Sequence, residues 1–324
     1  MDACFQNRIH YKESLDYILN NVCSEYKIGR YKSYSIITVG YEDLNLKLTT
    51  DKNDYFIKIF NSTRSWQECK RYANILAQIE AHQIYSPKIL TTNNQYLYKT
   101  ATNTGDLFLC VMEYIEGQTL YDSKTNLSEH ELRSLAMQVA KINQINIKPE
   151  FIYDGWACNN FAQEYKKNEP CLTTKEKTIL EPINREFNKI PFDKLPHCFI
   201  HGDIINTNVI QNQHKKLFII DFAVANFAPR IQELAVLMCN IFYHEEPIIR
   251  QQKYTILLNE YQKYNTLLKI ELNTLPSYIN IAHAMHFLCA TSQKRIHNNL
   301  SKENEYWIQQ GAKGLGIINT NQFA

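Results

Sequence analysis

Nine glycines in 324 residues leave this chain short of material for a phosphate loop built from clustered glycine. Average usage is about 7%, more than twice the share found here. Neither G-x-G-x-x-G nor G-x-x-x-x-G-K-[ST] occurs, which removes the simple dinucleotide-fold and P-loop solutions to nucleotide binding. A nucleotide bound by this chain must have its phosphates gripped by other means. The chain is otherwise ordinary globular material: 44% hydrophobic, 21% charged and net +2. That supports a packed core, predicts about two domains or lobes at roughly 150 residues each, and argues against a general nucleic-acid binder, which would be strongly basic.

No apolar run approaches the ~18 residues a membrane helix needs, and the N-terminus carries no signal-peptide pattern. Nine scattered cysteines, an odd number without a C-x-x-C pair, predict neither a disulfide framework nor a zinc site. A reducing, cytoplasmic location is expected, with Cys110, Cys198 and Cys239 as small core residues.

The first third reads as strand-rich. Tyr34–Val39 and Leu44–Leu48 are short β-type runs separated by Gly40-Tyr41-Glu42-Asp43. The polar cluster 51–54 precedes Tyr55–Phe60, a strand with Lys58 embedded in it, and 65–81 then follows helical spacing. Pro87–Leu90 and Leu107–Tyr114 complete the expected strands. Beyond about residue 116 helices dominate. Ser128 and Glu131 form a capping box ahead of an apolar face of Leu132, Leu135, Ala136, Val139 and Ile142. Further helices are expected at 173–188, 231–243, 247–264, 277–295 and 301–315, and 197–222 is an irregular piece holding two short β-type runs. This predicts an N-terminal domain over 1–115 and a larger helical one over 116–324.

Chemistry concentrates in that irregular piece. It contains His201-Gly202-Asp203, then Asn208 five residues after Asp203, then Ile220-Asp221-Phe222 at the end of an apolar run. Phosphoryl transfer from a nucleotide needs a carboxylate to orient the acceptor hydroxyl and take its proton. It also needs an amide oxygen and a second carboxylate to hold Mg²⁺ on the phosphates. Protein kinases meet this with His-Arg-Asp, an Asn five residues on, and Asp-Phe-Gly.

His201-Gly202-Asp203, Asn208 and Ile220-Asp221-Phe222, continued by Ala228-Pro229 and Glu233-Leu234-Ala235, resemble the motifs of the aminoglycoside phosphotransferase/choline kinase-type small-molecule kinases. Ala228 and Glu233 stand where that family has Gly and Asp. Gly40-Tyr41-Glu42-Asp43-Leu44-Asn45 resembles the glycine-poor nucleotide loop of the subgroup related to homoserine and hydroxylysine kinases, and Val111–Gly117 resembles the hinge strand. The tail 303–307 has the look of that subgroup's final helices, so the resemblance spans about 30–320. It implies an α+β, two-lobed protein kinase-like fold with a small β-rich N-lobe and a larger helical C-lobe. It also implies residue roles: Asp203 as catalytic base; Asn208 and Asp221 on Mg²⁺; Lys58 on the phosphates; Gly40, Tyr41 and Asn45 in the nucleotide loop; and Glu113 and Tyr114 in the hinge that holds the adenine. The implied donor is ATP, with GTP left open. Glu68 in the following helix is the expected ion-pair partner of Lys58, with Glu80 a poorer fallback.

His201 is expected to brace the loop backbone. Gly202 replaces the Arg that reads activation-loop phosphate in protein kinases, which argues against that switch. His283 and His286 lie one helical turn apart without a third ligand nearby in sequence, so core histidines are expected. Gly311–Gly316 follows no strand and is expected to end a helix, and Lys215-Lys216 to form a hairpin turn. For the acceptor, residues 267–324 hold five basic against three acidic residues, a poor match for a polycationic aminoglycoside. A small hydroxylated amino acid or amino alcohol fits better, with Asp154, Trp156, Asn226, Arg230 and Tyr306 as candidate pocket residues. The alternatives are a kinase-like enzyme acting on protein Ser/Thr and an inactive nucleotide-binding module. Oligomeric state is left open.

Overall fold

The computed structural model describes residues 3–38 and 42–316. The chain divides into two units, Met1–Gln118 with Ile210–Ala223, and Thr119–Val209 with Val224–Ala324. The backbone leaves the first unit at 118 and returns to it for residues 210–223. A boundary read along the chain cannot show that return.

The first unit begins with helices α1 (Ala3–Ile9) and α2 (Asp16–Tyr26). Strands β1 (Tyr31–Ile37), β2 (Leu44–Thr50) and β3 (Asp54–Ile59), helix α3 (Trp66–Ala81) and strands β4 (Tyr98–Thr102) and β5 (Gly105–Glu113) follow. The strands make an antiparallel sheet in the order β1-β2-β3-β5-β4. Alternation decides its two faces. Leu44, Leu46, Leu48, Ile57, Ile59, Leu109 and Val111 form a buried cluster with Leu15, Leu19 and Val22 of the N-terminal helical segment. The register places Asn45 opposite Lys58 and Lys58 opposite Cys110, so these three share the other face. Helix α3 is started by a capping box between Ser65 and Glu68 and buries Cys69, Tyr72, Leu76 and Ile79. Its Tyr72 ring meets Phe60 edge-on at 5.5 Å. The expected strand at 87–90 is reduced to an isolated bridge between Ile89 and Met112.

Next come β6 (Gln118–Thr119), α4 (Leu120–Ser123), α5 (Glu129–Ile142), α6 (Phe161–Asn168), α7 (Thr174–Phe187), β7 (His197–Ile200), β8 (Val209–Gln211), β9 (Leu217–Ile219) and β10 (Asn226–Pro229). Helices α8 (Ile231–Ile241), α9 (Pro247–Tyr261), α10 (Lys269–Ile296) and α11 (Lys302–Gly314) complete the described chain. β7 pairs with β10, and β8 pairs with β6 and β9. The link between β8 and β9 turns at Lys215, whose φ is +61°.

In the second unit every residue of α8 is buried, and α10 packs against α6, α7, α8 and α11. α10 starts eight residues before the expected Ser277 because Pro276 lies inside it. The carbonyl that Pro276 leaves without an amide partner belongs to Leu272, a residue that is 40% exposed. Gly311 lets α11 approach α10 closely: a Cβ there would lie 2.6 Å from the His283 carbonyl oxygen and from the Phe287 nitrogen.

Candidate active site

Lys58 is buried on β3, and its Nζ donates to Asp43 Oδ2 at 3.1 Å and to Asp221 Oδ2 at 3.3 Å. It also lies 5.3 Å from the centre of the Tyr72 ring. Burial pulls the lysine pKa down, but Asp221 and Asp43 outweigh it and the net shift is upward. The ammonium is therefore held charged in a dry setting. Asp221 follows β9 with φ at +63°, a left-handed conformation uncommon outside glycine and tolerated best by Asn and Asp. Its Oδ1 is buried and has no hydrogen-bond partner. Across from Lys58, Asn45 Oδ1 is likewise buried without a partner.

Glu68 is not the partner of Lys58. Its Oε2 accepts from the Ser65 amide at 2.7 Å and the Ser65 hydroxyl at 2.8 Å, so the capping box that starts α3 occupies it. Beside Asp221 the acidic partner is Asp43, which sequence reasoning placed in the nucleotide loop without a role toward Lys58. It also accepts from the Arg64 Nε and the Asn61 amide, each at 3.0 Å. Burial alone would raise the Asp43 pKa, but Lys58 and Arg64 bring it below the usual carboxylate range. The signal that could have found it is register. Extending the β2–β3 pairing from the 51–53 turn sets Asn45 against Lys58, with residue 43 two positions before Asn45, just ahead of the strand.

Gly40 and Tyr41 lie outside the described residues. Glu113 ends β5, its amide bonded to the Lys88 carbonyl at 2.9 Å. The Lys47 Nζ sits 4.4 Å from the Tyr114 ring centre.

In the second unit the loop after β7 carries the remaining chemistry. Gly202 has φ at +85°, a conformation that strains any side-chain-bearing residue. The His201 and Gly202 amides both donate to the carboxylate of Glu233, which is fully buried at the start of α8. Burial pushes the Glu233 carboxyl up to about 7, against those amides and Asn143, which pull it down. The buried His201 ring accepts the Asp203 amide on Nδ1 at 3.1 Å, so the imidazole braces the loop. Asn208 Nδ2 donates to Asp203 Oδ2 at 2.8 Å and to the Asp203 carbonyl at 2.9 Å. This fixes the carboxylate and leaves the Asn208 amide oxygen turned the other way. Asn206 donates to Tyr306 OH and to the Asn240 carbonyl, each at 3.0 Å, tying the loop to α11 and α8.

The phosphotransferase enzyme family (APH) matches residues 33–264. The chain belongs to that family. It is a small-molecule kinase, and its fold is protein kinase-like. Homoserine kinase from Bartonella henselae is 21% identical over 263 residues, covering 78% of each chain. The solved structure of an amicoumacin kinase in complex with AMP-PNP and Ca²⁺ superposes with a TM-score of 0.69 at 14% identity, over 96% of this chain and 98% of that one. Choline kinase from Streptococcus pneumoniae gives 0.65 at 15% identity, over 93% and 99%. At these identities the solved structures show the fold.

The donor set suits a magnesium–phosphate complex. Among the described residues no group of three or more His, Cys, Asp and Glu could hold a metal. Magnesium in nucleotide sites takes one or two protein oxygens and fills the rest from phosphate and water. Asp221 Oδ1, buried and without a partner, is an oxygen of the required kind. His283 and His286 are core residues. Both are buried, with their pKa values pushed down by burial to about 3 and about 4, and His286 Nδ1 lies 2.7 Å from Gln310 Oε1.

Two of the candidate acceptor residues are engaged structurally. Arg230 forms a two-pronged pair with Glu271, both bonds 2.7 Å, and Asn226 clamps the backbone of Ile152 in both directions. Asp154 Oδ1 accepts the Trp156 amide at 2.8 Å.

Proposed function

We propose that this chain transfers the γ-phosphoryl group of ATP, with Mg²⁺, to a hydroxyl of a small amino acid or amino alcohol. The observation that carries this reading is the Asp203–Asn208 pair, a carboxylate fixed by an amide whose oxygen is turned away. Lys58 grips the phosphates through a charge that Asp43 and Asp221 keep in place. Asp221 and Asn208 are the residues that would hold Mg²⁺, which would supply neutralisation of the charge building on the phosphates. Gly40, Tyr41 and Asn45 cover the nucleotide, and the backbone at Glu113 and Tyr114 holds the base. Asp203 orients the acceptor hydroxyl and takes its proton as the bond to phosphorus forms. His201 and Glu233 keep the Asp203 loop in shape without touching the reacting atoms.

The class of acceptor rests on the homoserine kinases among the relatives and on the basic balance of residues 267–324. The free thiols at Cys23, Cys69, Cys110, Cys158, Cys171, Cys198, Cys239 and Cys289 suit a reducing compartment such as the cytoplasm.

The test is an ATP-consumption screen over hydroxylated amino acids, amino alcohols, sugars and aminoglycosides. Turnover with an amino acid or amino alcohol is expected, and turnover with aminoglycosides alone, or with protein alone, refutes the acceptor class. Asp203→Asn should lower the rate by about 10²–10⁴, the worth of a positioned general base, with the melting temperature unchanged. Retention of most of the activity would remove Asp203 from its role.

A further inference from the structure

The family motifs leave Asp43 unassigned, yet it is among the most heavily bonded carboxylates of the first unit. Its side chain is 2% exposed. One oxygen accepts from Lys58, the other from Arg64 and the Asn61 amide. Its backbone carbonyl accepts from Arg8 Nη1 at 3.0 Å, and the Arg8 carbonyl accepts the Ser62 amide at 2.9 Å. The residue is thus pinned at its side chain and at its main chain.

We propose that Asp43, at the end of the nucleotide loop, is the positioning residue for Lys58, in place of a glutamate on α3. The inference rests on the phosphate-gripping role of Lys58 proposed above.

One principle and two observations favour Asp43 over its competitors. A lysine ammonium on a flexible four-carbon stem needs a fixed partner to hold one place in a buried setting. Both oxygens of Asp43 are committed, whereas Asp221 keeps one oxygen without a partner and its side chain is 34% exposed. Glu68 is committed to Ser65 at the start of α3. With Asp43 as the anchor, Asp221 keeps an oxygen for other work, and residue 43 ties the nucleotide loop to Lys58 through one ion pair.

The experiment compares Asp43→Asn, Glu68→Gln, Lys58→Met and the double variant D43N/K58M. It measures ATP turnover with the acceptor, Mg-ATP affinity by calorimetry, and melting curves. Asp43→Asn is expected to lower kcat/KM for ATP tenfold or more, and Glu68→Gln to stay within twofold of wild type. Adding Asp43→Asn to Lys58→Met should change Mg-ATP affinity by less than twofold, because a residue acting through Lys58 has nothing left to position. A merely structural Asp43 would impose its full effect in both backgrounds. A fall smaller than tenfold for Asp43→Asn, a Glu68→Gln loss as large as that of Asp43→Asn, or effects that multiply in the double variant overturns the proposal. If Asp43→Asn alone does not fold, D43N/K58M, which leaves no buried ammonium without a partner, still carries the affinity comparison with Lys58→Met. If wild type binds Mg-ATP but turns over no acceptor, the proposed function fails while calorimetry still decides the role of Asp43.

Discussion

Glu233 makes stability depend on pH in a way that one substitution can isolate. The carboxyl is fully buried and its folded pKa stands at about 7, against an ordinary value of 4.5. The folded chain therefore binds a proton between pH 4.5 and 7 that the unfolded chain has released. Stability from this group is full below the ordinary pKa and is lost as pH rises through 7. A shift of this size corresponds to about 3 kcal/mol, at roughly 1.4 kcal/mol per unit. Glu233→Gln removes the titration while keeping an oxygen that can accept from His201 and Gly202. His283 and His286 also titrate differently in the two states, their folded values pushed down to about 3 and about 4. They do so in both proteins and cancel in the difference. Thermal melts of wild type and Glu233→Gln from pH 5 to 8 should show wild type losing ground as pH rises. The change in the Tm difference should be about 6–12 °C, at roughly 2–4 °C per kcal/mol for a domain of this size. A Tm difference that stays flat across the range, or moves in wild type's favour at high pH, refutes the reasoning.

Two further outcomes follow from packing and ion pairing. Arg230→Met leaves Glu271, fully buried, without its guanidinium and should cost about 3–5 kcal/mol in chemical or thermal unfolding; Arg230→Met with Glu271→Leu should recover most of the loss. Gly311→Ala places a Cβ 2.6 Å from α10 backbone atoms and should lower stability by about 1–3 kcal/mol, read as a drop in Tm.

Two of the helices that sequence made legible, α3 and α5, have starts that carry their own chemistry, whereas α8 is legible from its apolar run alone. Ser128 and Glu131 start α5 by a capping box, and Ser65 starts α3 in the same way. Where the end signal conflicts with packing, packing prevails: Pro276 reads as a boundary, yet α10 runs through it, with Glu271 and Leu275 ahead of the proline buried and Leu272 at the surface. β4 was missed for a different reason. As an edge strand its residues are half-exposed or exposed throughout, so burial imposes no apolar alternation to detect. The N-terminal helix α2 does carry helical spacing in Ile18, Leu19, Val22, Cys23 and Tyr26, and that signal was available.

The same division runs through the site. Asp203, Asn208 and Asp221 are legible because the roles proposed for them require fixed residue types at fixed spacing within one loop and its following strand. The partner of Lys58 is under no such rule. Any carboxylate that reaches the ammonium from any element will serve, and which one does is settled by strand register and by competing hydrogen bonds. Here α3 needs its first-turn glutamate to cap itself, since Ser65 supplies both an amide and a hydroxyl to Glu68. That demand is local, and the ion pair falls to an acidic residue just before β2, two positions from the residue facing Lys58. A helix whose capping glutamate also lies in its first turn can use that carboxylate for the cap or for the sheet lysine, but one side chain cannot satisfy both. In related chains with a capping box at this position, the lysine's partner should therefore be sought immediately before the strand that pairs with the lysine's own.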